Sequence, residues 1–432
     1  LDEYHIQLRK NNQIDFEQML YFSYQLISKD AISKILSGIF SYIFIDEFQD
    51  TKEIQYAIVS KIIQSSEGKI NAFVVGDPNQ AIYGSLGGYA ISQAELEKIT
   101  NSRFSYMTLD KNYRSSKRII DFYINFNVLA SKTTSESKFK NYQSVVTYNQ
   151  KVYKDNLVDH ISKYIEYNVN QLGIEQKEIC ILAPWWMHLA ALTRTLVTRL
   201  PNFSFDGPGL VPFSRDIDNF WYKITQVILT EPSPNMYVKR MRWVSDILSE
   251  MHFCHVDIQR LNPRLFLNII NDIKIDEVDG LIYLRSFFDE LFRRINVDVS
   301  SYPQLQEHYD SFFKSSQDRI HRLKKDNEHF ATDINAFRNA FKPRTGIKVS
   351  TIHGVKGGEY DTVISFGLLQ DMVPNFNDSS DESAKKLLYV IGSRARKNLH
   401  LISERGRRSK YKDYESTKVL SGTKFTYDAD PF

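Results

Sequence analysis

Short apolar runs, each ending in a polar or glycine-bearing turn and followed by a helix-period pattern, recur through most of the chain. The runs are Tyr42–Ile45, Ala72–Val75, Tyr106–Leu109, Ile179–Ala183, Ile347–Ser350, Thr362–Phe366 and Leu399–Ile402. They are rich in Ile, Val, Phe and Tyr, the pattern of strands buried on both faces of a parallel sheet. Strand–helix alternation predicts doubly wound α/β units, in which ligands sit beyond the carboxyl ends of strands. Most of the unusual polar clusters of the chain are expected there.

The stretch from Phe213 to Phe341 is patterned differently. Its apolar residues recur at three- and four-residue spacing, as in Leu281, Leu284, Phe288 and Leu291, which predicts amphipathic helices. The expected division is therefore residues 1–110 as the closing part of a first α/β domain, residues 111–208 with 336–432 as a second, and residues 209–335 as a helical insertion into the second. No fixed-period repeat is visible.

Composition narrows the class. A chain of 432 residues is too long for one ordinary core, so two or three domains are expected. With 42% hydrophobic and 25% charged residues it has the profile of a folded globular protein. A net charge of +3 is too small to argue for nucleic-acid binding. Its distribution says more, because Lys385 to Lys412 holds ten Lys or Arg residues and one acid, Glu404. That stretch is either a solvated helix face with a basic tail or a surface that tracks phosphates. The two cysteines, Cys180 and Cys254, exclude a disulfide framework or a zinc site, and Cys180 belongs to an apolar run expected in the core. No segment is long enough to span a membrane and the start shows no signal peptide, so a reducing, cytoplasmic setting is expected. Residue 1 is Leu, not Met, so the chain is expected to begin inside a longer protein.

Five clusters carry candidate chemistry. In Ile43-Phe44-Ile45-Asp46-Glu47-Phe48-Gln49-Asp50 a buried strand runs into two acids. Asp46 could hold a magnesium ion through its water shell and Glu47 could deprotonate an attacking water, a pairing that phosphoryl transfer needs. The same acids would also suit a helix start. In Gly76-Asp77-Pro78-Asn79-Gln80-Ala81-Ile82-Tyr83-Gly84 the neutral amide of Gln80 could sense a terminal phosphate, although Asp-Pro-Asn is also a plain turn signal. Asn112-Tyr113-Arg114-Ser115 offers an arginine able to pair bidentately with phosphate oxygens. Ser350-Thr351-Ile352-His353 through Lys356-Gly357-Gly358-Glu359 sets a hydroxyl, a histidine, a lysine and an acid around small residues, as a loop closely approached by ligand would. A helix expected to start at Ser379, with Glu382 completing a capping box, ends near Arg394, a candidate arginine finger.

Singly these clusters have bland readings, but in this order they resemble motifs II to VI of the UvrD/Rep/PcrA-type superfamily 1 DNA helicases. Ile14-Asp15-Phe16-Glu17-Gln18 also looks like the family's segment upstream of motif II. The resemblance runs from about residue 14 to 402. It implies RecA-like P-loop NTPase domains with parallel sheets and helical insertions, ATP and Mg2+ as cofactors, and ATP-driven 3′-to-5′ translocation on DNA with duplex unwinding, in DNA repair or recombination. By that resemblance Asp46 binds magnesium, Glu47 is the general base, Gln80 links the γ-phosphate to DNA, and Arg114 and Arg394 contact the γ-phosphate. Glu359 meets the nucleotide sugar, with Lys356 and Gly357 beside it. Tyr83, Thr351 and His353 lie toward the single strand.

The chain departs from the pattern in several places. It has no Gly-x-x-x-x-Gly-Lys-Ser/Thr loop, so alone it is expected to be inactive as an ATPase. Ser85 stands where the family has Trp or Phe, which removes one base-stacking platform, and Gly358 stands where it prefers Leu. Pro184-Trp185-Trp186 replaces a segment that usually carries an arginine, and these tryptophans are either core or a substitute stacking group. The expected partners are single-stranded DNA, single/double-strand junctions and a nuclease or repair protein, with no membrane. An antiphage helicase subunit of the Gabija type and a non-catalytic DNA- or protein-binding module are the alternatives.

Overall fold

The computed structural model of the chain describes residues 2–10, 13–258, 261–326, 330–342, 345–378, 380–409 and 412–432. These residues form two compact units, Leu1–Trp185 with Ser350–Phe432, and Trp186–Val349.

The first unit is α/β. Strands β1 (Tyr42–Ile45) and β2 (Asn71–Val74) pair in parallel, joined by the helix Glu53–Ser65. A second set consists of β3 (Val146–Asn149), β4 (Ile179–Ala183), β6 (Tyr360–Ser365) and β7 (Ala395–Ile402), with β5 (Ile347–Thr351) leading the chain back from the second unit. Its ladders run β3–β7–β6–β4, all parallel. Parallel neighbours require crossovers, and the helix Asp381–Ser393 supplies the one between β6 and β7. Every residue of β4 is buried, Cys180 included, as expected for a strand covered on both faces. The core around this sheet joins Phe122, Val146, Leu182, Val363, Leu388 and Leu401.

The β1–β2 pair is covered less. Phe44 is 72% exposed and Phe73 59%, and their rings lie 6.1 Å apart on one bare face. The run Tyr106–Leu109, expected as a strand, forms no ladder, and Leu109 is 88% exposed. Apolar, β-branched composition makes a strand only where a neighbouring strand offers its N–H and C=O groups, and none does there among the described residues. Conversely, Val146–Asn149 is a strand that the pattern of long apolar runs passes over.

The second unit is mostly helical. Its helices are Trp186–Arg199, Phe220–Leu229, Pro234–Phe253, Pro263–Asp272, Gly280–Arg294, Pro303–Asp326 and Ile334–Asn339. Phe213, Trp221, Leu284, Phe288 and Phe312 meet in its core at the three- and four-residue spacing seen in the sequence. A short parallel pair, Phe205–Asp206 with Ile347–Lys348, lies in this unit. No helix among the described residues is long and apolar enough to cross a membrane.

Candidate functional site

The site is assembled within the first unit from the turns that follow β1 and β2 and the segments that precede β6 and β7. The expectation that polar clusters collect beyond carboxyl ends holds for β1, β2 and β5, and not for the clusters around Glu359 and Arg394. Arg394 and Glu359 immediately precede β7 and β6, at their amino ends. The reason is local: Tyr360 N–H donates to the Arg394 carbonyl (2.9 Å), which ties the two strand starts together.

Backbone geometry places the acids. Val75 N–H donates to the Ile45 carbonyl and Phe48 N–H to the Val75 carbonyl, so β1 and β2 end side by side. Glu47 then turns into the left-handed region, with φ 50°, a conformation that is uncommon for a side chain of this kind and clusters at functional sites. Asp46 is exposed and accepts the Glu47 N–H at 2.8 Å. Buried Gln49 donates to the Glu47 carboxylate and accepts the Asp77 N–H at 3.0 Å, which binds the first turn to the second. Gly76 permits this approach, since a Cβ there would overlap Gln49 Oε1 and lie 2.9 Å from the Phe48 nitrogen.

The second turn orients Gln80. Asp77 caps it by accepting from Asn79 N–H at 3.0 Å, and its other oxygen accepts from Gln80 Nε2 at 2.9 Å. That leaves Gln80 Oε1 to accept from Arg394 Nη2 at 2.8 Å. Asn79 is 3% exposed, and its Oδ1 accepts from two successive backbone amides, Val128 (2.7 Å) and Leu129 (3.0 Å). In the sequence Asn79 reads as turn punctuation, and no local signal marks this role.

Arg394 forms the end of the helix Asp381–Ser393 and is 2% exposed. The helix begins at Ser380, whose hydroxyl accepts from Ser383 N–H at 3.1 Å, while Ser379, expected as its cap, lies outside the described residues. Burial first, and then the neighbouring Arg114 guanidinium, bring Arg394 down to about 10, which leaves it charged at neutral pH. Arg114 itself forms an ion pair with Glu359 (2.6 Å) and donates to the Ser393 carbonyl (2.9 Å). The two arginines and Glu359 thus converge with Gln80 in one place.

The loop between β5 and β6 supplies the rest. Thr351 Oγ1 accepts from Gly354 N–H (3.0 Å), and Gly357 takes φ 87° to let the loop turn. Tyr83 donates from its hydroxyl to the His353 carbonyl (2.9 Å), with the rings 5.6 Å apart. Burial lowers the His353 pKa, so its imidazole is neutral at pH 7. Lys356, read in the sequence as lining the nucleotide, has a side chain only 8% exposed that points at Asp50 (2.5 Å) and Glu47 (3.6 Å). Trp185 and Trp186 follow the carboxyl end of β4, and Trp186 opens the helix Trp186–Arg199 with 63% of its surface exposed.

Several cations of the basic stretch 385–412 are paired with acids. Arg396 and Lys397 both pair with Asp361, at 2.7 and 2.8 Å, and Lys386 pairs with Glu382 at 2.6 Å. Arg408 pairs with Asp413 at 3.0 Å and Lys412 with Asp371 at 2.7 Å. Acids from outside the stretch neutralise much of what the local count suggested.

Over most of its length the chain is similar to known proteins. Residues 1–98 match the UvrD/REP helicase N-terminal domain and residues 299–406 the UvrD-like helicase C-terminal domain. The chain is 23% identical to a "Probable DNA helicase II homolog" of Mycoplasma capricolum, over 98% of this chain and 63% of that protein. It is 24% identical to the ATP-dependent DNA helicase PcrA of Staphylococcus aureus, over 92% of this chain and 60% of PcrA. It therefore spans less than two thirds of the length of these relatives. Two domain families in the order that the motifs require, around paired acids faced by a glutamine and two arginines, place the chain in the UvrD/Rep/PcrA-like family of superfamily 1 helicases.

Proposed function

We propose that the chain is the larger part of an ATP-dependent DNA helicase that translocates 3′-to-5′ along a single strand. The observation that carries this reading is the Arg394–Gln80 hydrogen bond at 2.8 Å, which ties a phosphate-sensing turn beside Asp46 and Glu47 to an arginine from the crossover helix. In this reading Glu47 accepts the proton of the attacking water, and Gln80 positions that water without competing for its proton. Arg114 and Arg394 stabilise the charge that builds on the transferred phosphoryl group. Asp46, an exposed carboxylate at a strand tip, suits Mg2+, which keeps most of its water and takes one or two carboxylates plus phosphate oxygens. No group of three or more acids, His or Cys that could cage a metal exists among the described residues, which fits that mode better than an all-protein site. The bound ion would neutralise charge on the phosphates. Tyr83, His353 and Thr351 would meet the strand, where an aromatic ring can stack on a base.

The test is ATP hydrolysis with and without single-stranded DNA, in a form of the protein that also carries a phosphate-binding loop. Glu47→Gln should lower the DNA-stimulated rate by about 10²–10⁴-fold, the usual worth of a positioned general base, while single-strand binding persists. Hydrolysis at the unsubstituted rate would remove Glu47 from this role and leave a binding module as the better reading.

A further inference from the structure

The ammonium group of Lys356 has four neighbours drawn from the two turns that follow β1 and β2. It donates to Asp50 Oδ2 at 2.5 Å and to the Gln80 carbonyl at 3.1 Å. Glu47 Oε2 lies 3.6 Å away, and the Tyr83 ring centroid is 5.4 Å away, within cation–π range. A cation this enclosed is stable only if its acceptors stay in place, and removing it would strand the Asp50 carboxylate. The contacts are graded: Asp50 is held tightly and Glu47 loosely. A small shift of the ammonium therefore changes its grip on Glu47 before its grip on Asp50. What would shift it is the loop that carries it, and that loop is attached to Tyr83 through the His353 carbonyl.

We propose that Lys356 is a positioning residue through which occupancy of the strand face, at Tyr83 and His353, is transmitted to the Glu47 carboxylate. The inference rests on the strand-binding part of the function proposed above. Without a strand, Lys356 and Gln49 both engage Glu47, which sits in its left-handed turn with its acceptor oxygen occupied. A strand lodged against Tyr83 moves the loop and draws the ammonium off Glu47 while it keeps Asp50 and the Gln80 carbonyl, so that Glu47 is left with Gln49 as its donor and is a stronger proton acceptor. No nucleotide contact is assigned to Lys356.

The experiment needs no ATP turnover. Oligo(dT) affinity and amide hydrogen exchange of Phe48–Thr51 are measured for the 432-residue chain and its variants. These amides are suitable reporters, since Asp50 and Thr51 donate to the Glu47 and Phe48 carbonyls at 2.9 and 3.1 Å. In the unsubstituted chain oligo(dT) should change their exchange rate. Lys356→Gln should keep oligo(dT) affinity within about threefold, since no phosphate contact is lost, yet abolish the exchange response. Lys356→Arg should keep both, which a role in packing alone would not produce. Tyr83→Phe removes the hydroxyl link from the other end, leaves the Lys356–Asp50 pair intact, and should also lose the response, so the idea stays testable if Lys356→Gln folds poorly. Lys356→Gln still showing the response, or losing affinity by more than about tenfold as a strand contact would, overturns the inference. An unsubstituted chain that does not bind oligo(dT) overturns the strand-binding reading itself, and this one with it.

Discussion

Arg394 Nη2 lies 2.8 Å from Gln80 Oε1, so the last side chain of the crossover helix touches the amide of the turn that follows β2. Because Arg394 is almost fully buried, the bond forms in a low-dielectric setting where a guanidinium is worth more than at the surface.

Arg394→Ala should therefore reduce ATP turnover by about 10³-fold or more, the range for arginine fingers, with a much smaller change in nucleotide affinity. Arg394→Lys should not rescue it, because a point charge lacks the fork that reaches Gln80 Oε1 and the Gly358 carbonyl together. Turnover, nucleotide affinity and single-strand affinity are measured for each variant. Preserved turnover with collapsed strand affinity would place Arg394 on a DNA surface instead.

Asn79 should prove to be a positioning residue of similar consequence. Its Oδ1 satisfies two backbone amides, so Asn79→Ala should cost about 1–3 kcal/mol in denaturant unfolding, the usual penalty for orphaned buried donors. Asn79→Asp keeps the acceptor and should lose much less. Equal losses in the two variants would show that packing, not this acceptor, matters.

His400 gives a prediction about pH. It is fully buried, with Nδ1 3.0 Å from Thr147 Oγ1 and Nε2 2.9 Å from Asn168 Nδ2, a neutral ring with both nitrogens satisfied. Burial pushes its pKa from 6.5 down to about 3, against a pull upward from Asp430, with His160 adding to the fall. The unfolded chain takes up a proton below about 6.5 that the folded chain refuses until about 3. Its contribution is therefore complete above the upper value and fades as pH falls through that window. His400→Gln should destabilise most at pH 8, and the gap to the unsubstituted chain should narrow toward pH 4, read from denaturant midpoints. A gap that widens on acidification would contradict a neutral buried ring.

The 432-residue chain by itself should show no ATP hydrolysis, with or without DNA, because its sequence holds no Gly-x-x-x-x-Gly-Lys-Ser/Thr run, the loop whose lysine and backbone amides cradle β- and γ-phosphates. Robust turnover abolished by Glu47→Gln would show that another part of the chain supplies that cradle.

How much of this was legible in the sequence depends on range. Ile179–Ala183 reads as a strand because composition and burial coincide there, whereas Tyr42–Ile45 is a strand through its ladder with Asn71–Val74 although Tyr42 and Phe44 are exposed. Tyr106–Leu109 is also a largely apolar run, but pairing is a property of neighbours and the sequence does not display them. The motif residues stand out in the sequence as clusters, but their contacts do not. Nothing near Lys356 in sequence announces Asp50, 306 positions away, and nothing near Glu359 announces Arg114. The basic run is silent for the same reason about its partners, since Asp361 and Glu178, which pair with Arg396, lie outside it.

The bare face of β1 and β2 has a practical consequence. Phe44 and Phe73 present aromatic rings to water on a two-stranded sheet whose outer edges pair with nothing among the described residues. Such a surface is a template for stacking copies of the same chain. Colloidal behaviour should follow from it: light scattering that rises with protein concentration, strengthens with added sulfate and weakens on cooling, because the attraction comes from water leaving apolar surface. Charges placed on that face, Phe44→Lys with Phe73→Glu, should quieten the scattering while leaving the arginines, Gln80 and the acids where they are.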